Sequence, residues 1–331
     1  MAESITTEPG RQTPPLEDLE SYRSELTGYA YRLLGSPFEA EDAVQESMVR
    51  AWKALDRFEG RSALRTWLYR ITTNVCFDML KGRARRARPM DLGPSSSADT
   101  MLPPPLPEIT WLEPAPDSIL LPPGADPADV VVSRDSVRLA FIAALQHLPA
   151  RQRAVLILRA VLRWHAGEVA ELLDTTVASV NSALQRARAT LAEQSPGDSE
   201  PLRPLDDDQQ AFLSRYVDAF ERYDLDSLVE LLHEDVIQSM PPYEMWLRGT
   251  DDVRGFFLGT GIGCRGSVVV PAGSANGLPA FGQYKPDPNG GRAPWALQVL
   301  EMSDGRITGL NFFLDTERLF PLFGLPLSYE S

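Results

Sequence analysis

The sequence predicts a multidomain chain, with two all-α helical modules followed by a C-terminal α+β domain built on a curved sheet. Three observations lead there. Apolar residues recur at steps of three and four through two separate stretches, a proline-dense acidic segment divides those stretches, and beyond about residue 207 short β-branched and aromatic runs replace the helical period. At 331 residues, with 43% apolar and 24% charged residues, the chain has room for two or three such cores.

Residues 1–15 are polar and proline-containing and read as a disordered tail. Within 16–90, Leu19, Tyr22, Leu26, Tyr29 and Leu33 mark one face of a helix that ends at Gly35, and Pro37 starts the next. The stretch 39–55 has acids in its first turn, a stripe of Ala40, Val44, Met48 and Ala51, and Arg50 and Lys53 near its end, as the helix dipole favours. A third helix is expected over 64–80, with Leu64, Trp67, Leu68, Ile71 and Val75 on one side. Residues 91–133 then hold ten prolines in 43 positions, so neither helix nor sheet can propagate and the segment reads as a linker. Trp111, Leu112, Ile119, Leu120 and Leu121 are too apolar for a solvated spacer, so extended pieces either lie in a groove on a partner or pack on the chain's own domains.

The second helical module spans 134–192. Pro149 interrupts it, a short helix covers about 166–173, and Asp174, Thr175 and Thr176 form a turn and cap. A helix opens at Val177 with Val180, Leu184, Ala187 and Leu191 inward, which makes a helix-turn-helix. After a polar linker at 193–206, the domain at 207–331 begins with helices at about 207–223 and 226–232. Strands are expected at 236–240, 245–247, 266–271, 280–284, 295–302 and 307–314, forming a curved antiparallel sheet with the helices laid against it. The last two flank Ser303, Asp304 and Gly305, a hairpin signal.

A net charge of -14 argues against nucleic acid until its distribution is read. Residues 65–90 carry seven bases and one acid, and 134–191 carry eight bases and four acids. By contrast, 91–133 carry seven acids and no base, and 192–331 carry 22 acids against 10 bases. Two basic modules are thus accompanied by acidic segments able to cover a phosphate-binding surface. No run reaches the roughly 18 apolar residues a membrane span requires, and the start lacks a signal-peptide pattern, so a cytoplasmic protein is expected. Cys76 and Cys264 lack a C-x-x-C partner and read as reduced thiols. No zinc spacing appears among His147, His165 and His233, and Gly261, Gly263 and Gly266 follow a helical segment and precede a strand, the reverse of the dinucleotide order. No metal or cofactor is expected.

Trp67 and Tyr69 lead into Lys81, Arg83, Arg85, Arg86 and Arg88, placing aromatic faces beside a basic run, as single-stranded DNA binding requires. Five bases within eight residues repel one another unless something anionic lies against them. After the helix-turn-helix corner, Ser179, Asn181, Ser182, Gln185, Arg186 and Arg188 form a polar face suited to a major groove, where Asn or Gln suits adenine and Arg suits guanine.

The stretches EAEDAVQESMVRAW (39–52), RSALRTWLYRITTNVCFDMLKGRARR (61–86) and HAGEVAELLDTTVASVNSALQRARATL (165–191) resemble regions 2 and 4 of extracytoplasmic-function RNA polymerase sigma factors. They cover about half the chain, in the family's order. The resemblance implies an initiation subunit that binds the largest and second-largest subunits of core polymerase and recognises a promoter with a melted minus-10 and a duplex minus-35 element. It implies polymerase contacts from Asp42, Gln45, Glu46 and Arg50, and minus-10 contacts from Arg65, Trp67, Tyr69, Asn74, Lys81, Arg83, Arg85 and Arg86, Asn74 holding a flipped base. The six residues of the second helix become minus-35 contacts, although many relatives carry Arg where this chain has Asn181 and Ala183.

The segment from about 207 to 315 resembles SnoaL-like domains of the nuclear-transport-factor superfamily, through DAFERYDLDSLVELLHEDV, MPP and GRITGLNFFLD. Some members are cyclases or isomerases, so Tyr216, His233, Trp246 and Asp315 are candidates to line a pocket for a small ligand. Sigma factors bearing this tail form a subgroup in which the tail stands in for a separate anti-sigma protein. The expectation is therefore a non-enzymatic sigma factor regulated in cis, associated with the nucleoid when bound to polymerase. The alternatives are a ligand-sensing one-component regulator and a SnoaL-like isomerase or cyclase fused to a DNA-binding module.

Overall fold

The computed structural model describes residues 16–58, 60, 62–120, 136–194, 207–288 and 290–330. The expected N-terminal tail, the end of the acidic linker and most of 193–206 lie outside the described residues.

The first module comprises α1 (Leu16–Glu20), α2 (Arg23–Leu34), α3 (Pro37–Ala54) and α4 (Leu64–Leu80). Gly35 ends α2 in the left-handed conformation (φ 77°), its N–H donating to the Tyr31 carbonyl. One residue on, the Ser36 hydroxyl accepts from the Glu39 N–H at 3.3 Å, with Pro37 in the first turn of α3. The linker also needs this glycine, because a Cβ on Gly35 would stand 2.6 Å from Leu112 Cδ2. Leu26, Tyr29, Leu33, Val44, Leu68 and Val75 form the interior, where the Tyr29 and Thr73 hydroxyls hydrogen-bond at 2.8 Å.

The described part of the linker packs on the chain's own domains. Ala87 and Trp111 form a parallel bridge, the Glu113 N–H donates to the Gly35 carbonyl at 3.1 Å, and Leu112 and Leu120 enter the helical core. Upstream, the segment crosses the C-terminal domain, where the Ser96 N–H donates to Trp246 O at 2.8 Å and the Leu106 N–H to Pro242 O at 2.9 Å. One turn of helix, α5 (Asp117–Leu120), forms where proline density argued against any. Pro116 lies just before it, a position that sets φ without removing an intrahelical donor.

The second module contains α6 (Leu139–Gln146), α7 (Ala150–Leu156) prolonged by a π-helical turn Ile157–Val161, α8 (Ala166–Leu172) and α9 (Val177–Gln194). Thr176 Oγ1 caps α9 by accepting from the Ser179 N–H at 3.1 Å. Sequence periodicity treats the two helical modules as separate, yet their buried side chains form one continuous core, from Leu19 to Ala187.

In the C-terminal domain, α10 (Asp207–Arg222), α11 (Leu225–Glu230) and α12 (Thr250–Leu258) accompany a six-stranded sheet, and α13 (Thr316–Leu322) follows it. The strands are β1 (Leu232–Ser239), β2 (Trp246–Arg248), β3 (Val268–Ala275), β4 (Leu278–Pro286), β5 (Arg292–Ser303) and β6 (Arg306–Phe313), in the spatial order β2-β1-β6-β5-β4-β3. The sheet is mixed, not wholly antiparallel, because β1 and β6 pair in parallel. Hairpin reasoning reaches only strands adjacent in sequence, and these two are the first and last. Alternation along β5 sends Ala296 and Leu300 to one core and Leu297 and Val299 to the other, which α13 covers with Leu319 and Phe320. The expected β5–β6 turn is present, with Asp304 and Gly305 both at positive φ. The helical segment expected ahead of Gly261 is α12, where Asp251 and Asp252 open the helix and Val253, Phe256 and Phe257 are buried at helical spacing.

Candidate polymerase and nucleic-acid interfaces

The stripe of Ala40, Val44, Met48 and Ala51 turns α3 inward, so Asp42, Gln45, Glu46 and Arg50 all lie on its exposed side. Glu46 and Arg50 pair at 2.7 Å, and Arg50 stands 3.8 Å from Asp78. The same side bears Val49 (39% exposed) and Trp52 (62% exposed), which sequence reasoning missed. Their signal was available, since both are large apolar residues off the buried stripe. A charged helix face with an open tryptophan is suited to docking another protein.

The expected minus-10 set divides. Asn74, Lys81, Arg83 and Arg85 are exposed. Trp67 is half-buried against Phe58, with ring centroids 4.9 Å apart. Arg65 donates to Glu25 and lies over the Trp164 ring at 4.9 Å. Tyr69 is not a platform in this arrangement. It is fully buried between Tyr29 (4.9 Å) and Trp164 (4.8 Å), its hydroxyl donates to Glu25 at 2.9 Å, and burial holds its phenol well above the usual range. Trp164 belongs to the second module, so that module covers part of the first. Arg70 extends the contact by donating to Glu171 O at 2.9 Å.

Arg86 is likewise interior, at 5% exposure. It donates to Trp111 O at 2.5 Å and lies 3.1 Å from Glu39 and 3.5 Å from Glu113. The anionic groups required by the arginine run are therefore the chain's own carboxylates. Glu39 also takes Arg83, and Asp91 takes Arg88 at 3.1 Å. Arg85 differs, meeting the His147 ring at 2.7 Å.

On α9 the burial of Val180 and Ala187 fixes the helix rotation. Ser179, Asn181, Ser182, Gln185, Arg186 and Arg188 consequently all face solvent, while Ala183 is turned inward.

A junction joins the C-terminal domain to the first module, the linker and the start of the second module. Asn276 and Gly277 form the two-residue β3–β4 turn, both at positive φ, and this Asn-Gly pair was its unread signal. Asn276 is 0% exposed. Its Nδ2 donates to Tyr31 Oη at 2.7 Å and to Val137 O at 2.5 Å, and its Oδ1 accepts from the Ala115 N–H at 2.9 Å. Tyr31 Oη in turn donates to Glu113 O at 2.9 Å. Alongside, Arg318 of α13 lies over the Phe38 ring at 3.8 Å, pairs with Glu108 and stands 3.4 Å from Glu113.

The pocket candidates are held by four different partners. Tyr216 is core and donates to Gln298 at 2.8 Å, His233 Nδ1 accepts from the Asp235 N–H, Trp246 Nε1 donates to Gly93 O at 2.9 Å, and Asp315 stands 3.4 Å from Arg318. Both cysteines are buried and unbridged, and among the described residues no metal-binding cluster occurs.

Comparison with known proteins places this architecture. The chain matches models of sigma-70 region 2 over residues 19–86, sigma-70 region 4 over 138–191 and a SnoaL-like domain over 213–310. It is 45% identical over 309 residues, 93% of this chain and 82% of the relative, to the ECF RNA polymerase sigma factor SigG of Mycobacterium tuberculosis H37Rv. The chain belongs to the ECF sigma factors. As such it binds core RNA polymerase and promoter DNA and directs promoter-specific transcription initiation. This sigma factor is also 29% identical over 253 residues, 74% of this chain and 72% of the relative, to ECF sigma factor SigJ of the same organism. The crystal structure of Mycobacterium tuberculosis SigJ shares its fold, with a TM-score of 0.59 at 23% identity, covering 95% of this chain and 100% of that one.

Proposed function

We propose that this sigma factor is regulated in cis, its C-terminal domain holding the two DNA-binding modules in a closed arrangement that is released for initiation. The observation that carries this reading is Asn276, a side chain of the C-terminal domain hydrogen-bonded to α2, the linker and the start of the second module. One amide thereby ties together three segments that open-complex formation must rearrange. The burial of Tyr69 beneath Trp164 supports it, because a single strand cannot stack on a covered ring.

In this reading α3 docks on the largest polymerase subunit through Asp42, Gln45, Glu46 and Arg50, with Val49 and Trp52 as the apolar centre. Asn74, Lys81, Arg83 and Arg85 are available to the melted minus-10 strand at once, while Arg65, Trp67, Tyr69 and Arg86 become so only on opening. The exposed face of α9 reads the minus-35 duplex. With its four candidate pocket residues engaged elsewhere, the C-terminal domain acts as a clamp and not as a catalyst.

The full-length double variant Asn276→Ala/Arg318→Ala tests the reading. Losing about 1–3 kcal/mol of buried polar contact should shift the closed–open balance about tenfold and raise promoter-specific transcription with core enzyme several-fold. Unchanged transcription, with the variant folded, rejects regulation by this contact.

A further inference from the structure

We infer that the cleft between the basic tail of α4 and the α6–α7 corner binds a phosphate group carried by a small molecule. The cleft has a volume of about 210 Å³ and is lined by both helical modules and the linker. Among the described residues four arginines line it, Arg83, Arg85, Arg86 and Arg153, against a single acid, Glu39. Arg83 and Arg86 share Glu39, and Arg86 also has Glu113, so those charges are met. Among the described residues the other two have no carboxylate partner.

Arg85 has a histidine ring in place of a carboxylate, and burial together with the arginine keeps His147 below its ordinary pKa, hence neutral. Arg153 is only 4% exposed, yet its partners are the neutral oxygens of Leu33, Gln146 and Leu148 and the Gln146 side chain. Its Nε is buried and has no partner among the described residues. Burial without an anion pushes this guanidinium down to about 10. A buried cation facing only neutral acceptors is costly, and an incoming oxyanion is the group that relieves it. The exposed guanidinium of Arg85 can present a fork to phosphate oxygens, whereas Arg153, whose terminal N–H groups are donated to Leu33, Gln146 and Leu148, offers its Nε. Leu34, Leu80, Ile109 and Leu148 supply apolar walls for the remainder of the ligand.

The space is smaller than the usual pocket for a drug-sized ligand, roughly 300 Å³ or more, which fits a phosphate or pyrophosphate head better than a large cofactor. A duplex backbone can reach the exposed Arg83 and Arg85, but it cannot follow to Arg153 at the buried end. Because the lining comes from both modules, an occupant would staple them together. Arg83 and Arg85 are also the residues that the clamp reading gives to the minus-10 strand, so the last arm of the test separates the two uses.

Isothermal titration of the intact chain with inorganic pyrophosphate and with adenosine 5′-monophosphate, at constant ionic strength, tests it. The expected result is saturable one-site binding for at least one probe, weakened about tenfold or more in Arg85→Gln and in Arg153→Met. Arg151→Gln, on the same corner but outside the cleft, should bind as the native chain does. Arg85 is exposed, so its variant keeps the test decisive even if Arg153→Met folds poorly. Absence of saturable binding by either probe, or undiminished binding in Arg85→Gln, overturns the inference. A last arm titrates forked promoter DNA into the pyrophosphate-saturated chain. Independent binding supports a small-molecule site, whereas displacement of pyrophosphate by DNA assigns the seat to the promoter backbone and overturns it.

Discussion

Glu113 stands where the linker, the first module and the C-terminal domain meet, and its carboxyl shows how burial competes with charge. Desolvation outweighs a hydrogen bond with Ser36 and the nearby Arg86, pushing the group up to about 7 from an ordinary 4.5. The folded chain therefore holds this proton more tightly than the unfolded one. Its contribution to stability is complete below the unfolded value of 4.5 and is lost as pH rises through about 7, by about 3 kcal/mol at most. His147 is shifted down by its own burial and by Arg85, so its contribution runs the other way. Melting temperatures of native chain and Glu113→Gln between pH 5 and 8.5 separate the two, and the substitution should flatten the decline on the alkaline side. Asn276→Ala belongs to the same scale. It strips the Ala115 N–H of its acceptor, so that amide should exchange its hydrogen faster, with a stability loss of about 1–3 kcal/mol in urea unfolding.

At the scale of elements, α9 displays the link from sequence to function most directly. Val180 and Ala187 set its rotation, and Asn181, Gln185 and Arg188 recur at steps of four and three on the opposite side. Gln185→Ala should weaken binding to the preferred minus-35 duplex about tenfold while leaving a scrambled duplex unaffected, as fluorescence polarisation would show. Equal losses on both duplexes would mean a phosphate contact, not base readout. The corner before α8 contributes Trp164, which covers Tyr69 and Arg65. Trp164→Ala should speed hydrogen exchange in α4 and raise transcription, because it removes the cover without touching the helix beneath.

For the whole molecule, the contrast is between an open face and a closed one. The polar and apolar residues of α3, Trp52 included, are exposed in the same arrangement that hides Tyr69 and Arg86. On the clamp reading proposed above, docking on core polymerase need not await opening, whereas stacking on Tyr69 and contact with Arg86 must. Trp52→Ala should accordingly lower retention of core polymerase in a pull-down, with little change in melting temperature. The acidic linker completes the picture, since Asp91 and Glu113 lie on the arginines that a bare basic module would present to DNA.

How much was legible in the residues follows from the range of the forces involved. Helical period, the Gly35 stop, the Ser36 and Thr176 caps and the Asp304-Gly305 turn are local, so the sequence determined α2, α3, α4, the helix-turn-helix with its outward polar face, and the β5–β6 hairpin. What covers each surface is not local. A tyrosine on an apolar stripe reads the same whether a base or Trp164 will lie against it, and an arginine run reads the same whether phosphate or Glu39 and Glu113 will meet it. The parallel β1–β6 pairing, the single core shared by the two helical modules and the burial of Asn276 were decided only by tertiary structure, because each depends on desolvation and hydrogen bonding between segments far apart in the chain.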